Sequence, residues 1–482
     1  MGEYDELFTH IDEHLDERLE KTRAYLRVPG ISPTGEGIRE SAEMTLGYLK
    51  ELGAEDARLV ETEGFPVVYG KLYSKNPDAK TLLFISMYDI MPAEEPDWVT
   101  PPFAAEIIAP ERINATSKFG DVLIARGVMD YKAPLMNFFY AVETWLKVTG
   151  DIPVNIIFAI EGEEEIGSPH LHEFSETVMD DLKTADAGHF LGMRTDTLGR
   201  LVIPRGYKGW QNLELEVAGG DWGGSGRQLF SADCAWVDAP IPHLVAAVNS
   251  LMDKDGHVLV EGFYDDVRPL TPTEQEEIRI VEEEFNEPEV MKAMQIKRFK
   301  GGKSGKELVG KYITGPVMNI DGIYGGYTGE GVKTNLPQNV VLKMDVRIVP
   351  DMKPDVTVER IKAHLIKKGF PEVQVRVSWA FDWFRTPAEA EIIQTSVKTA
   401  GMLGFPHIMT PTSCGCYKLC VYNKAPLHLP ISVAGLGAGG RSHQANEYVH
   451  VEALRDNQRF AVVHLNEYAK MPPSRRMNEM EF

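Results

Sequence analysis

Two apolar runs of strand length, each leading into an acidic residue, constrain the fold of this chain more than any other feature of its sequence. The runs are TLLFISMYDI (81–90) and VNIIFAI (154–160), and a helical stretch from Ala133 to Val148 separates them. Buried strands that alternate with helices are typical of a parallel-rich sheet with helices on both faces. Because polar groups at the carboxyl ends of such strands meet at one edge of the sheet, we expect a functional site there.

The sequence changes character near residue 210. Residues 211–385 combine strand-like segments such as NLELEV with a polar helical insert (273–297) and the glycine-rich GIYGGYTGEG, whereas strand and helix alternation resumes beyond them. A chain of 482 residues is long enough for two domains with separate cores. We therefore predict an α/β domain formed by residues 1–210 and 386–482, interrupted by an inserted α+β domain of residues 211–385.

The charge balance argues against several classes of partner. The chain has 50 basic and 72 acidic side chains and a formal net charge of −22, so its surface repels nucleic-acid phosphates. No apolar run approaches the roughly 20 residues that span a bilayer, and the N-terminal segment lacks the profile of a signal peptide. Four cysteines are too few for a disulfide framework. We expect a cytoplasmic protein that binds neither nucleic acid nor membrane.

The densest acidic cluster, EGEEEIGS (161–168), directly follows the second apolar run. An isolated acidic run is usually a solvated loop, but here Asp89, Asp130 and His443 also follow predicted strands. Carboxylates packed together repel one another unless they hold a cation. Several carboxylates and one imidazole at one sheet edge are typical ligands of zinc or of a harder divalent ion.

Seven segments occur in a fixed order along the chain: SMYDIMPAEEPDWVTPPF (86–103), ARGVMDYKAP (125–134), EGEEEIGS (161–168), GFYDDV (262–267), GIYGGYTGEGVKTNLP (322–337), VRIVP (346–350) and HQANE (443–447). They resemble successive motifs of peptidase family M20, and within it the carnosinase-like dipeptidases. The resemblance extends from about residue 10 to residue 470. It implies a zinc-exopeptidase-like α/β catalytic domain with an inserted α+β lid domain, through which relatives form homodimers.

The resemblance also implies roles for individual residues. Asp130 matches the aspartate that bridges two metal ions in the family, and Glu164 matches the general base for the attacking water. Glu165 and His443 match the other two ligands of one metal ion. Asp89 matches the catalytic aspartate of the H-x-D motif, which lies behind the ligands.

Substrate recognition is implied by the same motifs. Arg347 matches the arginine that receives the substrate carboxylate through a bidentate pair, so we expect a small peptide or an N-acyl amino acid-like substrate. The GGS motif of the substrate loop is replaced by CGC at Cys414 to Cys416, and the dipeptide specificity of the family therefore does not transfer directly. Cys414, Cys416 and Cys420 fit no zinc-binding spacing, and we interpret them as reduced thiols whose role stays open.

Three positions depart from the family pattern. Met87 replaces the histidine of H-x-D, and counting back from Lys208-Gly209 places Gly192 where relatives have an aspartate ligand of the same metal ion. Phe230 replaces the lid histidine that helps to hold the tetrahedral oxyanion in relatives. Met87 would also fit simple core packing.

These departures predict a metal-dependent hydrolase with one divalent ion, zinc or alternatively manganese or cobalt, and no second metal site. If the strand register differs from our count, Asp196 or His189 replaces Gly192 as a ligand. A second hypothesis is a non-hydrolytic relative, either a lyase-type enzyme or a ligand-binding pseudoenzyme. Intact Glu164 and His443 favour catalysis, whereas the three replacements favour the second hypothesis.

Overall fold

A computed structural model describes residues 2–480, which form two compact units. The first unit runs from the N-terminus to Gly206 and also contains Arg385–Thr410 and the chain from Leu419 onward. The second unit consists of Tyr207–Phe384 and Pro411–Lys418. Its boundaries lie close to the positions 210 and 386 at which the composition changes. The segment 411–418 is an exception, because the sequence places it in the first domain and the structure places it in the second unit.

The described residues form fourteen α-helices. They are α1 (Asp5–Glu13), α2 (Leu15–Leu26), α3 (Ile38–Glu51), α4 (Ala133–Thr149), α5 (Leu171–Thr177), α6 (Met179–Leu182), α7 (Pro240–Leu251), α8 (Pro272–Glu284), α9 (Glu287–Ala293), α10 (Gly305–Thr314), α11 (Pro354–Lys367), α12 (Glu391–Met402), α13 (Cys420–Asn423) and α14 (Val451–Lys470). None of these helices combines the length and the apolar composition that crossing a membrane requires.

The same residues form twenty β-strands. They are β1 (Glu55–Val60), β2 (Val67–Leu72), β3 (Thr81–Met87), β4 (Glu106–Ile108), β5 (Val122–Ile124), β6 (Asn155–Glu161), β7 (Ala187–Leu191), β8 (Leu201–Pro204), β9 (Gly206–Ala218), β10 (Leu229–Phe230), β11 (Val317–Tyr324), β12 (Asn335–Leu336), β13 (Asn339–Ile348), β14 (Gln374–Phe381), β15 (Phe384–Arg385), β16 (His407–Thr410), β17 (Ser413–Cys416), β18 (Ile431–Ala434), β19 (Gly439–Gly440) and β20 (Tyr448–His450).

A six-stranded mixed sheet in the order β1-β2-β6-β3-β7-β18 is the centre of the first unit. The four strands β6, β3, β7 and β18 are parallel to one another, whereas β2 is antiparallel to both of its neighbours, β1 and β6. The apolar runs found in the sequence are β3 and β6, and burial of their side chains against helices such as α4 removes apolar area from water. Phe84 of β3, for example, stacks on Phe138 of α4. The predicted α/β class is confirmed.

A smaller sheet in the order β19-β20-β5-β4 lies in the same unit. Strands β5 and β20 are antiparallel, and Ile124 pairs with Tyr448. The chain that leaves β5 and the chain that enters β20 therefore run side by side. These two segments carry Asp130 and His443.

The second unit is built on an antiparallel sheet in the order β11-β13-β9-β14. Its core contains alternate residues of β9 and β13, such as Leu213 and Leu342, packed against α7 and α11. Strand β17 joins this unit because Ser413 pairs with Tyr207 in parallel with β9. That pairing explains why residues 411–418 depart from the predicted domain assignment.

Candidate active site

Three side chains from three separate loops converge in the first unit. The Nε2 atom of His443 lies 2.9 Å from Oδ2 of Asp130 and 3.0 Å from Oε2 of Glu165. The ligand atoms of the three residues all lie within 4.8 Å of one another. Asp130 follows β5, Glu165 follows β6 and His443 lies between β19 and β20. The structure therefore brings together the three residues that the sequence predicts as metal ligands.

Asp89 holds the acidic turn in place from behind. Its buried carboxylate accepts the backbone N–H groups of Glu164 at 3.2 Å and Glu165 at 3.0 Å, and the hydroxyl of Ser32 at 2.7 Å. Burial raises the pKa of Asp89 to about 6, although these hydrogen bonds oppose the rise. Because strands β3 and β6 are adjacent and parallel, Asp89 and the turn meet at the same end of the sheet.

The electrostatics of the cluster favour a bound cation. Burial and the neighbouring charges of Glu165 and Asp130 raise the pKa of Glu164 well above its usual value. Burial also raises the pKa of Glu165 to about 8, and hydrogen bonds to Asp130 and Glu165 raise the pKa of His443 to about 11. Several carboxylates in a poorly solvated place lower their energy by sharing a positive charge.

Comparison with known proteins identifies the family. The sequence profile of peptidase family M20/M25/M40 matches residues 83–463. The chain belongs to this family. Membership confirms the resemblance found in the sequence and makes this M20 chain a metal-dependent hydrolase of peptide bonds.

Two curated relatives and one solved structure illustrate the similarity. The Cys-Gly metallodipeptidase dug1 of Schizosaccharomyces pombe is 26% identical over 404 residues, which cover 78% of this chain and 78% of the relative. The Beta-Ala-His dipeptidase of Rattus norvegicus is 27% identical over 387 residues, or 76% of this chain and 74% of the relative. The M20 family metallo-carboxypeptidase Sso-CP2 from Sulfolobus solfataricus matches with a TM-score of 0.83 at 31% identity, covering 94% of this chain and 99% of that structure.

The donor set of the cluster fits one divalent ion of an M20 enzyme. Two carboxylates and an imidazole are ligands that zinc accepts in catalytic sites, and manganese and cobalt accept the same donors. Asp130, Glu165 and His443 supply these donors, and the side chain of Glu165 is only 3% exposed.

The two positions predicted to have lost a metal ligand, Met87 and Gly192, lie at the carboxyl ends of adjacent parallel strands. The register of β3 and β7 ends with the pair Ile85 and Phe190; Met87 is the last residue of β3, and Gly192 directly follows β7. Met87 is buried and its thioether is a poor ligand for a hard cation, while Gly192 has no side chain. Neither residue offers a donor that a hard divalent ion prefers.

The alternative ligands for position 192 are engaged elsewhere. Oδ2 of Asp196 lies 2.9 Å from a guanidinium nitrogen of Arg200. The ring of His189 is buried and stacks on His464 with 4.1 Å between ring centroids. Neither residue is part of the cluster around Asp130.

Arg347 and Phe230 belong to the second unit. Arg347 lies on β13 and donates from NH1 to the carbonyl oxygen of Cys414 at 3.2 Å, and the same nitrogen lies 3.4 Å from Sγ of Cys416. Phe230 ends the short strand β10 and its side chain is exposed. Their roles toward a substrate stay predictions.

The cysteines of the altered CGC motif are free thiols. Burial raises the pKa of Cys416 to about 12, so this thiol is neutral near pH 7 and a poor nucleophile. Cys414 lies with it on β17, and Cys420 begins α13 in the first unit.

One supporting residue was missed by the sequence analysis. Glu447 is fully buried, and its Oε1 accepts the backbone N–H groups of Met129 at 2.9 Å and Asp130 at 3.0 Å. Its Oε2 accepts the N–H of Gly127 at 3.1 Å and NH1 of Arg126 at 3.0 Å. Its place at the end of HQANE, directly before a strand, was the available signal.

Proposed function

We propose that this chain hydrolyses the amide bond of a small substrate with a free carboxylate, such as a dipeptide or an N-acyl amino acid, using one metal ion. The observation that carries the proposal is the convergence of Asp130, Glu165 and His443 within ligand distance of one another. Relatives named as Cys-Gly and Beta-Ala-His dipeptidases support a dipeptide-sized substrate.

Asp130, Glu165 and His443 would hold the ion, with zinc as the first candidate and manganese or cobalt as alternatives. When bound, a divalent ion polarises the scissile carbonyl and increases the acidity of water. The neighbouring carboxylate of Glu164 takes the proton from the attacking water and passes it to the leaving amine. Burial and the neighbouring charge of Glu165 raise the pKa of Glu164, which strengthens this carboxylate as a proton acceptor.

Two further residues complete the proposed mechanism. Asp89 orients the turn that carries Glu164, because it accepts the backbone N–H groups of Glu164 and Glu165. The family resemblance assigns the substrate carboxylate to Arg347, whose guanidinium can form two parallel hydrogen bonds with a carboxylate. The proposal also includes a homodimer formed through the inserted unit and a cytoplasmic location.

A second candidate function is a non-hydrolytic one, either lyase-type chemistry or ligand binding. Met87 and Gly192 favour it, because they remove two donors from a site that normally hydrolyses. Phe230 favours it as well, since phenylalanine cannot hydrogen-bond an oxyanion. Restoring histidine at 87 and 230 and aspartate at 192 separates the two functions. These three substitutions should increase dipeptidase activity if the chain is a hydrolase, and they should abolish the native activity if its function is non-hydrolytic.

Glu164→Gln tests the proposed base. Removal of a general base lowers kcat by about 10²–10⁴-fold, and bound metal should stay at the wild-type amount because Glu164 is not a proposed ligand. The experiment measures dipeptide hydrolysis by chelator-treated and zinc-reconstituted protein, together with elemental analysis.

Glu163→Gln is the matched control. Glu163 is the adjacent residue of the same motif, but its carboxylate contacts His170 Nδ1 at 2.9 Å and the N–H of Phe65 at 3.1 Å instead of the cluster. Its kcat should stay within a few-fold of wild type. Full hydrolysis by Glu164→Gln, or by rigorously metal-free protein, would falsify the mechanism.

A further inference from the structure

The space beside Gly192 is occupied by a cationic side chain. A Cβ atom built on Gly192 would lie 3.3 Å from Nε of Arg194, 3.4 Å from its Cγ and 3.4 Å from a ring carbon of Tyr131. An aspartate at position 192 would therefore place its Cβ in close contact with the Arg194 side chain. The family resemblance implies an aspartate ligand at this position in relatives, whereas this chain has glycine there and a guanidinium next to it.

Arg194 is held at its backbone and at its tip. Its backbone N–H donates to the carbonyl of Gly435 at 2.9 Å, and its carbonyl accepts the N–H of Val202 at 2.9 Å. Its guanidinium Nη2 donates to the hydroxyl of Tyr131 at 3.2 Å. Tyr131 directly follows Asp130 and packs edge-on against Phe190, with 4.6 Å between ring centroids. The guanidinium is thus linked to the residue next to a proposed metal ligand.

We propose that the Arg194 guanidinium replaces the second metal ion of two-metal M20 enzymes, and that its charge keeps a second divalent ion out. The inference rests on the one-metal function proposed above. A divalent ion with one aspartate and one neutral histidine has a net charge of +1. Arginine has the same charge near neutral pH without any ligand, because its guanidinium does not deprotonate there.

This replacement accounts for the altered positions together. Met87 and Gly192 remove the donors that a second ion would need, and the side chain of Arg194 fills the space that the missing aspartate leaves. A guanidinium presents several N–H donors and no acceptor, so it can hold a developing oxyanion and cannot itself bind a metal ion. Unlike a metal ion, this charge cannot be removed by a chelator.

The decisive experiment counts metal ions in restored variants. Met87→His/Gly192→Asp supplies the two missing donors and keeps Arg194, and the triple variant adds Arg194→Ala. We expect one zinc equivalent in wild type and a second equivalent in the triple variant, bound at least about tenfold more tightly than in the double variant. Zinc is measured by elemental analysis after gel filtration and by calorimetric titration.

The matched control adds Arg200→Ala to the double variant. Arg200 lies on the same loop but pairs with Asp196, so this control should bind zinc like the double variant. Equal binding of a second ion with and without Arg194 would overturn the inference. The inference would also be overturned if the folded triple variant bound no second zinc ion, or if the Arg200 control bound a second zinc ion as tightly as the triple variant.

The same data separate this inference from the proposed function. A wild type without bound zinc would contradict the proposed function, while the double and triple variants would still show whether Arg194 excludes an ion. Two equivalents in wild type would contradict both.

Single substitutions test the charge without relying on the restored variants. Arg194→Ala should lower kcat by about 10²-fold with one zinc equivalent retained, and Arg194→Lys should recover part of the loss because it keeps a positive charge. An unchanged kcat in Arg194→Ala would contradict the charge role.

Discussion

At the scale of single residues, Glu447 supports the candidate site through backbone contacts and is not itself a proposed metal ligand. Its two carboxylate oxygens together accept three backbone N–H groups of the loop that carries Asp130, and Arg126 balances its charge. Burial raises the pKa of Glu447 to about 7, and the hydrogen bonds from this loop and the charge of Arg126 oppose the rise. The segment from His443 to Glu447 therefore supplies one proposed ligand and positions another.

Glu447→Gln should weaken metal binding. Both carboxylate oxygens of Glu447 accept backbone N–H groups, whereas the amide of glutamine has only one acceptor oxygen. In the variant, the amide NH₂ group therefore faces a backbone N–H donor and leaves it without an acceptor. Loss of a residue that orients a ligand typically costs about 10–100-fold in metal affinity, and we expect a loss of that size. Competition with a chromophoric chelator measures the affinity.

Glu467→Gln is the control for this prediction. Glu467 is also a buried carboxylate, but it contacts Tyr4, Lys398 and Lys470 on the helical side of the unit. The control should lose stability and keep the metal affinity of wild type. An unaltered affinity in a folded Glu447→Gln protein would show that the loop does not depend on this carboxylate.

The sequence analysis selected residues whose side chains are typical metal ligands and that lie in family motifs. It missed residues whose proposed roles depend on contacts in the folded protein. Asp130, Glu165 and His443 could be grouped because each follows a strand and matches a motif. Glu447 and Arg194 could not be selected in this way. The proposed role of Glu447 depends on its contacts with backbone N–H groups, and that of Arg194 depends on its position beside Gly192. The spacing of residues along the chain does not indicate these contacts.

At the scale of elements, a pair of buried histidines joins the central sheet to its covering helices. His189 of β7 stacks on His464 of α14, and Nε2 of His464 lies 3.2 Å from the hydroxyl of Ser396 on α12. Burial lowers the pKa of His189 to about 3 and the pKa of His464 well below its usual value. Both rings are therefore neutral in the folded protein near pH 7.

This pair should make the first unit sensitive to acid. The unfolded chain binds protons at these histidines below about pH 6.5 and the folded chain does not, so the free energy of unfolding decreases as the pH falls from 6.5 toward 3. We expect a loss of about 2 kcal/mol per histidine at pH 5. Urea unfolding at pH 7.5 and pH 5 measures it.

His189→Phe should reduce this pH dependence, because phenylalanine keeps a buried ring and binds no proton. Exposed His257→Asn is the control and should leave the dependence as in wild type. An equally steep loss of stability in His189→Phe would assign the acid sensitivity to other groups.

Elements with a local signature were predictable. The apolar runs became β3 and β6, and the stretch from Ala133 to Val148 became α4 with one further residue. Segment 411–418 falls in the second compact unit, because it pairs with β9, some two hundred residues earlier in the chain. Such long-range pairing leaves no periodic trace in the segment itself.

At the scale of the whole molecule, metal binding should be coupled to folding of the first unit. Asp130, Glu165 and His443 lie on three loops that are distant in sequence, so the unfolded chain does not present them together. An ion at a thousandfold excess over its Kd stabilises the folded state by about 4 kcal/mol. Thermal unfolding in zinc and in chelator should show this difference, and Asp130→Asn should abolish it. Identical melting temperatures for wild type in both conditions would contradict the coupling.

The antiparallel pair of β5 and β20 has a consequence for the synthesis of the protein. A ribosome makes β5 about three hundred residues before β20, and the segment with His443 and Glu447 directly precedes β20. A nascent chain therefore cannot assemble the proposed metal site until the segment from His443 to Glu447 has been made. Termination before His443 would yield a fragment that lacks the proposed imidazole ligand and also lacks Glu447, which holds the loop of Asp130, so we expect such a fragment to have no activity.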